Sequence, residues 1–307
     1  MNKLSILFSA ALLSAAMCAC SSHSNANDTA ADGAATDSVA TAEEVNAQAF
    51  ATVPALFADS IDIQGIKGRV KISGEYPEGE SPAVDSVRHW LANILISQSE
   101  NKDAHPQLAA GQSLADQVGR LYMADAKENI KAMEGIGVSY GYEADINFGK
   151  EFLTDSLVTY YCTSYFYLGG AHGSTSAMAA TFRLGNGEQL TFANTFLPDA
   201  TPKLIDLIRK GLWTQYFNPE ASDDGIHSLR DALLIDPDTL PLPATGLTFM
   251  TKGMNVTYQQ YEIACYAAGM PSCTLPYAAI RPLMRPAMRQ LLPKYALVRN
   301  QRQGIVR

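Results

Sequence analysis

Long apolar runs, metal-binding signatures and positive charge are what this chain has least of. After residue 20 no apolar stretch approaches the ~20 residues that a membrane-spanning helix needs. Its five histidines fall in no His-Glu-x-x-His pattern and its five cysteines in no Cys-x-x-Cys pair, and no Asp-rich calcium loop is present, so neither a metal nor another cofactor is expected. Lysine and arginine number 23 against 31 aspartates and glutamates, a formal net charge of -8, which argues against a nucleic-acid partner. Glycine (22) and proline (15) are too sparse in 307 residues for a collagen-like or wholly disordered polymer. What is there is a 47% hydrophobic composition, enough for one large or two ordinary cores without disulfide staples.

Met1 to Cys20 reads as an export signal. Lys3 supplies the positive start, and Leu4 to Met17 form an apolar run whose length suits a cleaved leader, residues 1–19. The run ends in Met17-Cys18-Ala19-Cys20, which resembles a bacterial lipobox, and the small Ala19 favours Cys20 as the lipid-bearing residue. An ordinary secretory signal cut after Ala19 is the alternative, and both export the chain. A lipid on Cys20 would make the membrane a partner and place the protein at the outer membrane, on its periplasmic or surface side. Residues 20–53 then read as a tether: from Ser21 to Ala51 there are five acidic residues, no lysine or arginine, and mostly small polar side chains. Such a chain reaches about 30 Å. Within it Asp28-Thr29-Ala30 and Asp37-Ser38-Val39 resemble the sites at which Bacteroidetes glycosylate exported proteins, a short pattern repeated at Asp59, Asp85 and Asp155.

Order is expected from Pro54. Ile61, Ile63, Val70 and Ile72 alternate with polar residues across Gly65 and Gly68, as in a half-buried hairpin. Ser81-Pro82 opens a helix carrying Val84, Val87, Trp90, Leu91, Ile94 and Leu95, and Leu114 to Met133 repeat its spacing. Beyond Gly135 the period drops to two. Leu157 to Leu168 is the longest strand candidate, followed by Ser174 to Leu184 and, after the turn Gly185-Asn186-Gly187, by Gln189 to Phe192, an antiparallel meander. Thr201-Pro202 starts a third helix ending at Phe217. A hairpin around Lys252-Gly253 and a short strand from Cys273 to Tyr277 close the set, Pro276 marking an edge.

Tyr165-Phe166-Tyr167-Leu168-Gly169-Gly170-Ala171-His172-Gly173, followed by Tyr258-Gln259-Gln260-Tyr261-Glu262-Ile263-Ala264-Cys265-Tyr266-Ala267-Ala268-Gly269 and Leu275-Pro276-Tyr277, resembles the RsiV-like family of extracellular domains, domain of unknown function 3298. The resemblance covers residues 158–292, and residues 54–157 resemble, more weakly, the companion domain that precedes it. It implies an α+β fold, an antiparallel sheet packed with helices in two lobes, not catalytic by itself, with lysozyme binding as the task of the family's RsiV member. Residues 293–307 would be a basic tail.

Tyr165, Tyr167, Gly169, Gly170, His172, Tyr258, Tyr261 and Glu262 are the candidate binding residues. The glycine pair either presents the His172 imidazole at a cleft or makes a bend that the ring locks. Glu262, inside an apolar run, is either a buried carboxylate with a partner such as His172 or an arginine, or a cleft acid that with His172 would make a small wall hydrolase. Ser99-x-x-Lys102 has no companion motifs and is set aside. Cys265 and Cys273 flank a bend and could pair as a disulfide; two reduced buried thiols are the alternative, and Cys162 as a nucleophile with His172 lacks a third member. After Tyr277 come seven bases and no acid, either a lipid-facing tail or a solvated end. The expectation is a lipid-anchored, non-enzymatic envelope module that recognises peptidoglycan, another glycan or a lysozyme-like hydrolase.

Overall fold

A computed structural model describes residues 50–100, 106, 111–134, 141–217 and 225–293. The expected lipobox with Cys20, the expected tether up to residue 49, His23, His105 and the bases from Lys294 onward lie outside the described residues. Among the described residues no helix is long and apolar enough to cross a membrane.

The fold is α+β, with a sheet in each of two lobes. β1 (Ala51–Ile63) and β2 (Ile66–Glu78) form a hairpin in unbroken register from Ala51 opposite Glu78 to Ile63 opposite Ile66. Its two-residue turn, Gln64-Gly65, has positive φ at both positions (53° and 86°), and Asp62 accepts from Gly65 N at 2.9 Å. This handedness matches the twist of the flanking strands. Gly68, expected in the bend, lies instead within β2 opposite Ile61, and β1 starts three residues before Pro54.

Helix α1 (Pro82–Ser97) begins where Ser81 Oγ accepts from Val84 N at 3.2 Å and Pro82 occupies the first turn. It buries Val84, Val87, Leu91 and Leu95. Helix α2 (Gly111–Glu134) buries Leu114, Val118, Tyr122, Ala126 and Ile130, and lies across β1 and β2. Gly119 makes that approach possible: a Cβ there would stand 2.2 Å from the Phe57 ring. The two helices form a crossover, so β3 (Tyr142–Leu153) returns parallel to β2, from Gly68 opposite Tyr142 to Gly74 opposite Phe148. The sheet is therefore mixed, a correction to the wholly antiparallel one expected.

β4 (Leu157–Tyr167) and β5 (Ser174–Arg183) complete the order β1-β2-β3-β4-β5 by antiparallel pairing. The boundary expected between residues 157 and 158 thus falls inside one sheet. After Gly185-Asn186-Gly187 the expected strand reduces to a single bridge, Phe182 with Gln189, because Thr191 caps α3 (Phe192–Thr195) in a reciprocal box with Asn194. Helix α4 (Thr201–Gly211) buries Leu204 and Ile208 and widens into one π-helical turn over Leu212–Phe217.

The second sheet, β6 (Thr248–Met250), β7 (Gly253–Thr257) and β8 (Ser272–Pro276), is antiparallel, with Pro276 at the end of an edge strand. Its core gathers Leu204, Ile208, Phe249, Met254, Tyr258 and Tyr277. The buried hydroxyls of Thr159 and Thr181, 2.8 Å apart, join the sheets: Thr159 donates to Phe249 O at 2.8 Å, and Thr181 donates to Leu247 O and accepts from Phe249 N, both at 3.0 Å.

Candidate functional site

β4 ends in a bend that glycine permits. Gly169 and Gly170 both take left-handed backbone (φ 87° and 109°), and Tyr167 Oη donates to Gly170 O at 2.9 Å across it. The chain then returns as β5, the edge of the first sheet. An open edge invites pairing with another chain. Here it is closed by the segment after Tyr258: Gln260 Oε1 accepts from Thr175 N at 2.8 Å, Gln259 Oε1 accepts from Ala177 N at 3.0 Å, and Gln259 Nε2 donates to Ala177 O. Thr245 O takes the next amide, Ala179 N, at 3.3 Å.

This clamp carries the late Tyr-Glu segment onto the glycine bend. His172 Nδ1 lies 2.9 Å from Gly173 O and Tyr266 Oη 3.0 Å from the same oxygen; each donates to it. The two rings stack, centroids 3.9 Å apart and 23° between planes. Tyr261, held at φ 64°, adds a third ring 5.7 Å from Tyr266. Tyr165 lies over Gly173, where a Cβ would come within 2.4 Å of its ring. The result is an aromatic ledge of Tyr261, Tyr266 and His172.

The Tyr258–Gly269 segment of this ledge lies within a match to a known family. Residues 194–278 match the family described as "Protein of unknown function (DUF3298)". The chain contains a DUF3298 domain. The match lies within the span 158–292 on which the resemblance rested, takes in the second lobe's sheet and leaves out the Gly169–Gly173 bend. Two solved structures share the fold. One, from Bacteroides fragilis NCTC 9343, is described as a member of the DUF3298 family and has a TM-score of 0.64 at 17% identity, covering 79% of this chain and 97% of its own. The other, a DUF3298 family protein from Pseudomonas aeruginosa PAO1, has a TM-score of 0.53 at 13% identity with the same coverage. No curated protein matches.

Not every candidate of the DUF3298 segment reaches the ledge. Tyr258 is fully buried and donates to Pro241 O at 2.6 Å; burial pushes its hydroxyl well above the ordinary tyrosine range. Glu262 is half-buried and meets neither His172 nor an arginine: Oε1 accepts from Ala244 N at 2.9 Å and Oε2 from Gln259 N at 2.7 Å. Both side chains are tied to backbone groups, and among the described residues no hydrogen bond or ion pair joins Glu262 to His172. Of the two alternatives left open for Cys265 and Cys273, the structure has free thiols and no bridge. Cys265 is exposed before the Tyr266–Ala268 turn, whereas Cys273 points from β8 into the core, its Sγ 3.8 Å from Ile208 O. Burial pushes the Cys162 and Cys273 thiols up to about 12, so neither is a ready nucleophile. Among the described residues no cluster of His, Cys, Asp or Glu could hold a metal.

Gly137-Val138-Ser139-Tyr140-Gly141 has the Gly-x-Ser-x-Gly spacing of a nucleophile elbow. An elbow turns from strand to helix, whereas this stretch follows α2 and precedes β3, the reverse order, and Ser139 lies outside the described residues.

Sequence reasoning also missed Tyr266, Gln259, Gln260 and Leu234. The first three sit in the quoted Tyr-Gln-Gln block and were legible as polar or aromatic. Leu234 had no signal, because it is tied to the Tyr258–Gly269 segment only through tertiary structure: Leu234 N donates to Ile263 O at 2.8 Å.

Proposed function

We propose that this protein is a non-enzymatic recognition module of the cell envelope, held there by a lipid on Cys20, and that the ledge docks a lysozyme-like, wall-acting protein. One observation carries the reading. Among the described residues four large apolar side chains are exposed, and three of them, Leu168 (48%), Leu234 (64%) and Tyr261 (57%), belong to the segments that meet at the ledge. Apolar groups left in water on segments that converge suit a partner surface, and rigid tyrosines supply such surfaces with contact area at low entropic cost. The clamp by Gln259 and Gln260 supports it by holding the ledge in place before any partner arrives. Catalysis is disfavoured because Glu262 is committed to two backbone amides.

The test uses the chain from Ser21 onward on a solid support, offered lysozyme and, separately, purified wall sacculi. Lysozyme should be retained by the parent and released by Tyr261→Ala combined with Leu168→Ser, with no new reducing ends in the sacculi. Retention of sacculi alone would move the ligand to the glycan. Release of reducing ends would overturn the non-enzymatic reading. Labelled palmitate should enter the full-length protein and not its Cys20→Ala variant.

A further inference from the structure

A groove lies at the other end of β5. Helix α1 turns Ser86, Trp90, Asn93 and Ser97 to one side at helical spacing, with His89 beside them. Facing them is the turn after β5. Its Gly187 takes left-handed backbone (φ 71°) and seats directly on α1, since a Cβ there would stand 2.3 Å from Pro82 O. Between helix and turn is an open groove of about 520 Å³, to which Gln189 adds its side chain. That falls within the roughly 300–1,000 Å³ of small-molecule sites.

The lining is chemically selective. The Trp90 indole is half-buried and fixed edge-on against Phe182, centroids 6.1 Å apart at 75°. His89 Nδ1 donates to Asp85 O at 2.7 Å, which leaves Nε2 as an acceptor. Among the described residues the side chains of Ser86, Asn93 and Gln189 make no hydrogen bond. Each primary amide offers an acceptor and two donors, the complement of neighbouring hydroxyls, each both donor and acceptor. No lining side chain is a carboxylate, ammonium or guanidinium, so a phosphorylated or acidic ligand would find no counter-charge. A purely apolar ligand would desolvate the two amides without partners.

We infer that this groove binds a neutral sugar ring, with the ring's C–H face on Trp90 and its hydroxyls on Asn93, Gln189, Ser86 and His89. The site is independent of the ledge. β5 separates the two: Thr175 and Ala177 are gripped at the ledge, Phe182 lies at the groove, and the ten residues of the strand span about 30 Å.

The chain has two tryptophans, so Trp213→Phe leaves Trp90 as the only one. That variant, from Ser21 onward, is titrated with short neutral oligomers of N-acetylglucosamine and of glucose, and with an oligogalacturonate as acidic control; calorimetry on the unsubstituted chain repeats the measurement. The expected result is a saturable change in Trp90 emission with a neutral oligomer and none with the acidic one. Exposed Asn93→Ala or Gln189→Ala should weaken it by about tenfold or more, the effect of about 1.4 kcal/mol. Tyr261→Ala should leave it unchanged, which separates failure here from failure of the ledge. No saturable response to either neutral oligomer, or an affinity untouched by both amide variants, would overturn the assignment.

Discussion

Tyr266 stacks on His172 with ring centroids 3.9 Å apart, and both residues donate to the same acceptor, the carbonyl oxygen of Gly173. One backbone oxygen therefore sets two of the three rings of the ledge, and the residue that carries it has no room for a side chain. Gly173→Ala would bring a Cβ within 2.4 Å of the Tyr165 ring. The expected loss is about 1–3 kcal/mol in denaturant unfolding. Gly185→Ala, with nothing within 4 Å of its Cβ, should stay within about 0.5 kcal/mol of the parent.

Gln259 closes the edge of β5 with an acceptor for Ala177 N and a donor for Ala177 O. Gln259→Ala removes both and should destabilise by about 1–3 kcal/mol. Hydrogen exchange at the Ala177 amide should accelerate more than at Ala179, whose partner is Thr245 O. Equal protection of Ala177 in both proteins would show that water or another group replaces the clamp.

The thiols give a sign-defined pH dependence. Burial raises Cys162 and Cys273 to about 12 from an ordinary value of 9.0. Between those values the unfolded chain has lost these protons and the folded chain still holds them, so stability present below about pH 9 is lost as pH climbs toward 12. Cys273→Ala should flatten part of that fall in unfolding curves taken at stepped pH. At neutral pH a thiol reagent should label Cys265 quickly and the buried pair only after denaturation.

Glu262 is half-exposed and holds the amides of Ala244 and Gln259. Glu262→Gln keeps one acceptor and turns a donor toward the other amide, costing about 1–2 kcal/mol. A loss of stability without loss of ligand affinity would mark Glu262 as scaffold; the opposite pattern would make it a contact residue.

Much of the framework was legible because it is encoded locally. Ser81-Pro82 announces the start of α1, and Gly169-Gly170 announces the bend after β4. The parallel return of β3 beside β2 was not legible, since pairing depends on how α1 and α2 pack and not on any pattern within Tyr142–Leu153. The same holds for Cys265 and Cys273, near in sequence yet facing solvent and core, and for Leu234, which is tied to the Tyr258–Gly269 segment through one backbone bond to Ile263. Trp90 read as a core residue by its spacing. It does pack inward, but its half-burial and the free amides of Asn93 and Gln189 emerge only once the turn at Gly187 is seated on α1.

Calorimetric titration of lysozyme into the chain from Ser21 onward, beside its Tyr261→Ala and Leu234→Ser variants, tests the docking surface most directly, with unfolding curves confirming that all three are folded. Heat of binding in the parent and a drop of about tenfold or more in each variant, the weight of a contact worth over 1 kcal/mol, is the expected result. Equal affinity in all three proteins at equal stability, or turnover of wall polymer by the parent, would contradict it.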